Sequence, residues 1–254
     1  MLDYTREADA YDATRGGAPR ADAAAEAIRR LLPAGARVLL DVAGGTGIVA
    51  AALAGRGFRP IVVDRAPGMA ALAESRLPGR VVLGDAAALP LAAASVDAVT
   101  MIWVLHLLPG EVPVAAIAEA ARVLRPGGTL IATVDKNDGN YRNGGDVAEI
   151  LWPHRQRLFH PNVDDRDRIV EIGARHGLRV SDETPFVGLG QGRSPAHWAR
   201  TLGKPENGWV RHGGQELVAD LTDRLAALPD QDRPRPDPLY RLLAMTRPAP
   251  STTD

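Results

Sequence analysis

Five short runs rich in valine, isoleucine and leucine recur along the first half of the chain: residues 36–42 (ARVLLDV), 58–64 (FRPIVVD), 80–84 (RVVLG), 96–104 (VDAVTMIWV) and 128–135 (GTLIATVD). Each is bounded by Gly, Pro or Asp, and each reads as a buried strand. Helical stretches fall between and before them, at 19–32, 47–56, 67–77 and 113–124, the last with Ile117, Ala121 and Leu124 on one face. Strand, helix and strand joined by short turns require right-handed crossovers and a mostly parallel sheet covered on both faces. The expected architecture is a doubly wound α/β fold.

Beyond residue 135 the pattern loosens. A short helix is expected within 136–162, a helix at 168–177 ended by Gly177, and a strand at 178–188. Two helical pieces follow in 189–237, one at 214–228 with Leu217, Leu221, Leu225 and Leu228 on one face. The prolines of DQDRPRPDP mark a loop before a last strand, LYRLLAMTR, at 239–247. The 254 residues are read as a single domain: an N-terminal lid at 1–20, a core at 36–135, and lid or substrate insertions at 136–162 and 186–237.

Charge narrows the partners. Thirty Lys and Arg against 31 Asp and Glu leave a net charge of −1, which provides no broad footprint for nucleic acid or an acidic membrane. The N-terminus lacks an apolar core, and the longest apolar stretch, AVTMIWVLHLL at 98–108, is too short to span a bilayer. A soluble, cytoplasmic chain is expected. It has no cysteine, and its six histidines show no ligand spacing, so no metal site is expected.

The segment LLDVAGGTGIVAAAL, residues 39–53, carries the chemistry. In such a sheet ligands bind outside the carboxyl ends of the strands. Gly44, Gly45 and Gly47 let the backbone approach a ligand and turn into a helix whose N–H groups face it. A dinucleotide is one candidate, because GTGIVA fits the dinucleotide pattern and Asp64 stands where a ribose-binding acid belongs. Asp41 discriminates against it. A carboxylate ending the first strand repels a pyrophosphate and attracts a ligand with sulfonium and ammonium groups, which S-adenosylmethionine has.

VLLDVAGGTG resembles the first motif of class I S-adenosylmethionine-dependent methyltransferases of the small-molecule type, with Ala43 where the first glycine is usual. The likeness continues in order through IVVDRAPGM at 61–69, LGDAAALPLAAASVDAVTMIWVLHLL around the third and fourth strands, and EAARVLRPGGTLIATV approaching the fifth, a UbiE-like motif set. It implies a Rossmann-like seven-stranded sheet, its last strand antiparallel between the fifth and sixth, with helical lid insertions.

It also implies transfer of a methyl group to O, N or C of a small metabolite. An NAD(P)-dependent oxidoreductase and a catalytically inactive S-adenosylmethionine-binding protein are the alternatives. Asp64 closes the second strand, where its carboxylate can accept both ribose hydroxyl protons. Met69 would flank the adenine, and Asp85 with Ala86 resembles the family's adenine contacts, a helix N-cap being the competing reading of Asp85. Arg65 and Ile102 complete the implied cofactor set. YDATRGGAPR at 11–20 resembles the N-terminal lid of such enzymes, with Tyr11 over the sulfonium and Arg15 paired with the methionine carboxylate.

His106, just beyond the fourth strand, is the first candidate for a base, against a histidine bonded under the sheet's rim; His154, His160, Tyr141 and Asp135 follow. Tyr141, Trp152, His154, Phe159 and His160 cluster in a chain with only 4% aromatics, which suits either a pocket for a ring-containing acceptor or a lid packed onto the domain. RPGG at 125–128 reads as a turn.

Overall fold

A computed structural model describes residues 11–158 and 163–249. Its centre is a seven-stranded sheet in the order β3-β2-β1-β4-β5-β7-β6. The strands are β1 (Val38–Val42), β2 (Arg59–Asp64), β3 (Val81–Leu83), β4 (Val96–Met101), β5 (Leu124–Val134), β6 (Arg179–Val187) and β7 (Leu239–Thr246). Pairings among β1 to β5 are parallel, while β7 lies antiparallel to both β5 and β6, between them as the family likeness implies.

Period-two alternation sends neighbouring residues to opposite faces. Leu40, Val99, Leu130 and Leu243 pack with α4 (Val112–Val123) and α6 (Arg166–Arg175). Their chain neighbours Leu39, Ala98, Ile131 and Leu242 pack with α1 (Gly17–Leu31) and α2 (Ile48–Ala54). The helices begin where local chemistry directs them. Pro67 opens α3 (Pro67–Arg76), the Asp165 carboxylate accepts from the N–H groups of Asp167 and Arg168 at the start of α6, and the Ser194 hydroxyl accepts from His197 N–H at the start of α7 (Pro195–Thr201).

Two expectations need correction. The run 80–84 does not form a buried strand: β3 is a three-residue edge on which Val82 and Leu83 are exposed, since an edge strand lacks a neighbour on one side. RPGG is not a turn before the fifth strand but a bulge inside it, where Gly127 has φ +81° and its N–H donates to Arg247 O, while the register on β4 shifts.

The segment after β5 is more helical than its sequence suggests. A 3-10 turn (Lys136–Tyr141) leads into α5 (Asp146–Leu158), and α7, a second 3-10 turn (Pro205–Gly213) and α8 (Gly214–Ala226) follow later. These elements share an apolar cluster of their own, built on Tyr141, Leu151, Trp198, Trp209 and Leu221.

The chain leaves β1 toward β2 on one side and returns through β4 on the other. That reversal opens a crevice outside the carboxyl ends of β1 and β4, where such sheets place their ligands.

Candidate functional site

A cavity of about 410 Å³ occupies this crevice. Its walls bring together Tyr11, Arg15, Asp41, Ala43, Gly44, Gly45, Asp64, Arg65, Met69, Asp85, Ala86 and Ile102, every residue of the expected cofactor set except Gly47. Gly47 serves packing instead: a Cβ there would lie 2.9 Å from that of Ala73, so this glycine lets α2 approach α3.

The turn after β1 is strained. Ala43 takes φ +54°, the left-handed region that a non-glycine residue adopts at a cost of about 1–2 kcal/mol, so the departure from glycine is less mild than the sequence suggests. Its N–H bonds Val63 O at 2.7 Å, which fixes the turn against β2. Gly45, at φ +58°, has no atom within 4 Å of where a Cβ would stand, so its backbone borders open cavity.

Four carboxylates face this space. Asp64 accepts from the N–H groups of Gly45 and Ala66, both at 2.8 Å, and so joins the turns after β1 and β2 while keeping lone pairs for a ligand. Asp85 accepts from Ala87 N–H at 2.8 Å in a local turn; no helix follows for it to cap. Asp41 is almost fully buried. Burial pushes its carboxyl up to about 6, opposed by the Thr100 hydroxyl donating at 2.6 Å and reinforced by the charge of Asp64.

The fourth, Asp12, was not singled out from the sequence. It accepts from the Thr46 hydroxyl at 2.8 Å and from Arg76 at 2.7 Å, and thereby clamps the N-terminal segment onto the glycine turn. This clamp sets Tyr11 and Arg15 on the cavity wall, with the Arg15 guanidinium 4.7 Å from the Tyr11 ring centroid.

Two further wall residues went unnoticed. Trp103, directly after β4 and its following residue Ile102, holds φ +56°, and the Arg20 guanidinium lies 3.4 Å from its ring centroid. The only sequence signals were a tryptophan in a chain with four, and an arginine closing the N-terminal motif.

His106 is not on the cavity wall. Its Nδ1 is buried without a partner, and burial together with the charges of Lys136, Arg20 and Arg15 lowers its pKa to about 3. An imidazole this reluctant to hold a proton is a poor base at neutral pH. Asp135 is buried in ion pairs with Arg142 and Arg241.

Nor does the cavity gather the expected acceptor residues. Tyr141 and Trp152 stack on each other in the separate helical cluster, and His154 sits beside Arg157 on α5. Phe159 and His160 lie outside the described residues. No group of His, Asp and Glu suited to a metal ion occurs among the described residues.

Fold and cavity together resemble those of class I S-adenosylmethionine-dependent methyltransferases. Residues 40–132 match the family described as methyltransferase domain. An uncharacterized methyltransferase of Mycobacterium tuberculosis is 41% identical over 141 residues, 54% of this chain and 57% of that protein. A demethylmenaquinone methyltransferase of Beutenbergia cavernae is 43% identical over 94 residues, 37% of this chain and 38% of that one. The matches thus span 57% of the length of the first of these curated relatives and 38% of the second.

Among solved structures, a chain from the Haloferax volcanii complex of a methyltransferase activator with a methyltransferase superposes with TM-score 0.61 at 18% identity, covering 98% of this chain and 99% of that one. The [4+2]-cyclase SpnF superposes with TM-score 0.54 at 22% identity, over 90% and 81%. These likenesses establish the fold, which a cyclase shares.

Proposed function

We propose that the chain transfers the methyl group of S-adenosylmethionine to an O, N or C atom of a small metabolite. The observation that carries this reading is the donor set of the cavity: Asp41, Asp64 and Asp85 in the turns and strand ends of β1, β2 and β3, beside a glycine backbone that borders free space. This set fits a ligand with two cationic groups, a ribose diol and an amino-purine. It disfavours a pyrophosphate, which would meet the buried Asp41.

The cofactor supplies an activated methyl on a good leaving group, so alignment and exclusion of water account for much of the rate required. The Asp12 clamp and the segment bearing Tyr11 and Arg15 cover the site, and Asp64 holds the two turns in register. No histidine lines the cavity among the described residues, which favours an acceptor whose nucleophile needs no protein base. The near-neutral charge favours a metabolite over nucleic acid. No helix among the described residues is long and apolar enough to cross a membrane.

Calorimetric titration with S-adenosylmethionine and with NAD tests the cofactor, and the pH dependence tests Asp41. The folded carboxyl keeps its proton to about pH 6, whereas the ordinary value is 3.8, so the ligand-free fold binds more protons between those values and loses stability as pH rises through them. A cation bound beside the carboxylate favours its ionised form. Affinity for S-adenosylmethionine is therefore expected to fall as pH drops below about 6, by at most about tenfold per pH unit, with proton release seen as a buffer-dependent heat. Asp41→Asn should flatten the profile. A wild-type affinity that is indifferent to pH, or tight NAD binding, would refute the assignment.

A further inference from the structure

Arg20 is a cation buried without a counterion. It is 7% exposed, and no carboxylate pairs with it among the described residues. Its Nη1 donates to Arg15 O at 2.9 Å and its Nε has no partner. The nearest acid on the same segment, Asp12, is committed to Thr46 and Arg76. Beneath Arg20, Trp103 also keeps its indole Nε1–H buried and unbonded. An uncompensated buried charge is costly, and two orphaned donors at one place add to that cost. Such an arrangement is expected where a ligand brings the missing acceptor.

The position in the fold identifies which ligand. Asp41, Asp64 and the glycine turn belong to β1 and β2, whereas Arg20 lies over the ends of the strands beyond them. It stacks on Trp103 after β4 and stands 5.9 Å from the ring of Tyr240 on β7. Lys136, at the end of β5, adds positive charge on this side, and burial with the nearby Arg20 and Arg15 lowers its pKa to about 8. The cofactor has a single carboxylate, and Arg15 is already on the wall to meet it. Of the two other guanidiniums on the wall, Arg65 is exposed in the turn after β2, and the buried Arg20 is left over.

We propose that Arg20, with the Trp103 indole N–H, is the specificity-determining anchor for a carboxylate on the methyl acceptor, so that the substrate class is a small organic acid. This rests on the methyltransferase reading, and the test separates the two. The 254-residue protein saturated with S-adenosylhomocysteine is titrated with benzoate and with its neutral isostere benzamide, followed by the Trp103 indole N–H resonance, assigned through Trp103→Phe. Benzoate is expected to shift that resonance and to bind at least ~10-fold more tightly than benzamide. Arg20→Met should erase the preference while leaving S-adenosylhomocysteine affinity within about twofold.

Equal binding of the two probes overturns the proposal. So does an Arg20→Met variant that weakens S-adenosylhomocysteine by ~10-fold or more, because the methionine carboxylate would then be the counterion. Stability gives an independent arm. Removing an unpaired buried cation should raise the melting temperature of the ligand-free protein by about 2 °C or more, whereas a fall would make the stack on Trp103 merely structural and sink the idea. If the wild type fails to bind S-adenosylhomocysteine, the cofactor reading falls by itself. The benzoate-to-benzamide ratio without it then decides the anion site by the same criterion.

Discussion

Gly45→Val is expected to abolish S-adenosylmethionine binding in a protein that still folds, while Gly47→Val two residues away is expected to damage the fold itself. Both glycines have positive φ, so a branched side chain costs about 1–3 kcal/mol at either site. The difference lies in what the new atoms meet. At Gly45 a Cβ finds nothing within 4 Å, and the added isopropyl group projects into cavity where the cofactor must approach the backbone. At Gly47 a Cβ would stand 2.9 Å from Ala73 Cβ and 3.0 Å from Ala73 Cα, atoms of α3 that cannot rotate away. Overpacking there adds about 1–3 kcal/mol to the backbone strain. Calorimetry should find no measurable heat for Gly45→Val and urea melts only a modest loss; for Gly47→Val the melts should show the large deficit. Unchanged cofactor affinity in Gly45→Val would move the ligand away from this turn.

From sequence alone the two glycines carried the same label, and this marks where the legibility of the chain ends. Alternation of strand and helix is encoded by local period and punctuation, so β1, β2, β4 and the helices between them were readable to within a few residues. The cofactor acids were readable for a similar reason: Asp64 terminates β2 and Asp41 is the last residue but one of β1, and topology alone carries strand ends to the crevice. What could not be read depends on contacts distant in sequence. Asp12 matters only because Thr46 and Arg76 arrive beside it from 34 and 64 residues away. The Arg20 and Trp103 stack joins residues 83 positions apart. Ala43 looked conservative because its left-handed backbone is invisible in a side-chain pattern. Between base and buried structural histidine, His106 stayed open because position after a strand end says nothing of how a side chain points in the 3-10 turn Leu105–Leu107.

The aromatic residues after β5 are the most instructive case, and they lead to the second large expected effect: Tyr141→Ala should cost about 3–5 kcal/mol of stability, the range for removing a buried ring. Rings drawn from α5, α7 and the second 3-10 turn converge on Tyr141. Trp198 and Trp209 lie 5.7 and 5.8 Å from its centroid, and Trp152 stacks at 6.4 Å. The Trp209 indole N–H donates to the Tyr141 hydroxyl at 3.1 Å, an arrangement that burial makes obligatory for both polar tips. Truncation removes the ring that the three tryptophans share and also strands that indole donor, so part of the loss should be recovered in Tyr141→Phe, which keeps the packing and lacks only the hydroxyl. The hydrogen bond is then worth the deficit that Tyr141→Phe keeps relative to the wild type, about 0.5–1.5 kcal/mol. S-adenosylmethionine affinity should stay within about 0.5 kcal/mol in both variants, because Tyr141 is absent from the cavity wall. Denaturant melts and calorimetry on the same preparations measure both quantities. A Tyr141→Phe variant that melts like the wild type but changes which acceptor is methylated would return this residue to the acceptor pocket. It would also mean that the helical cluster opens over the cavity during turnover, carrying its aromatic core to the substrate instead of holding it in reserve as a scaffold.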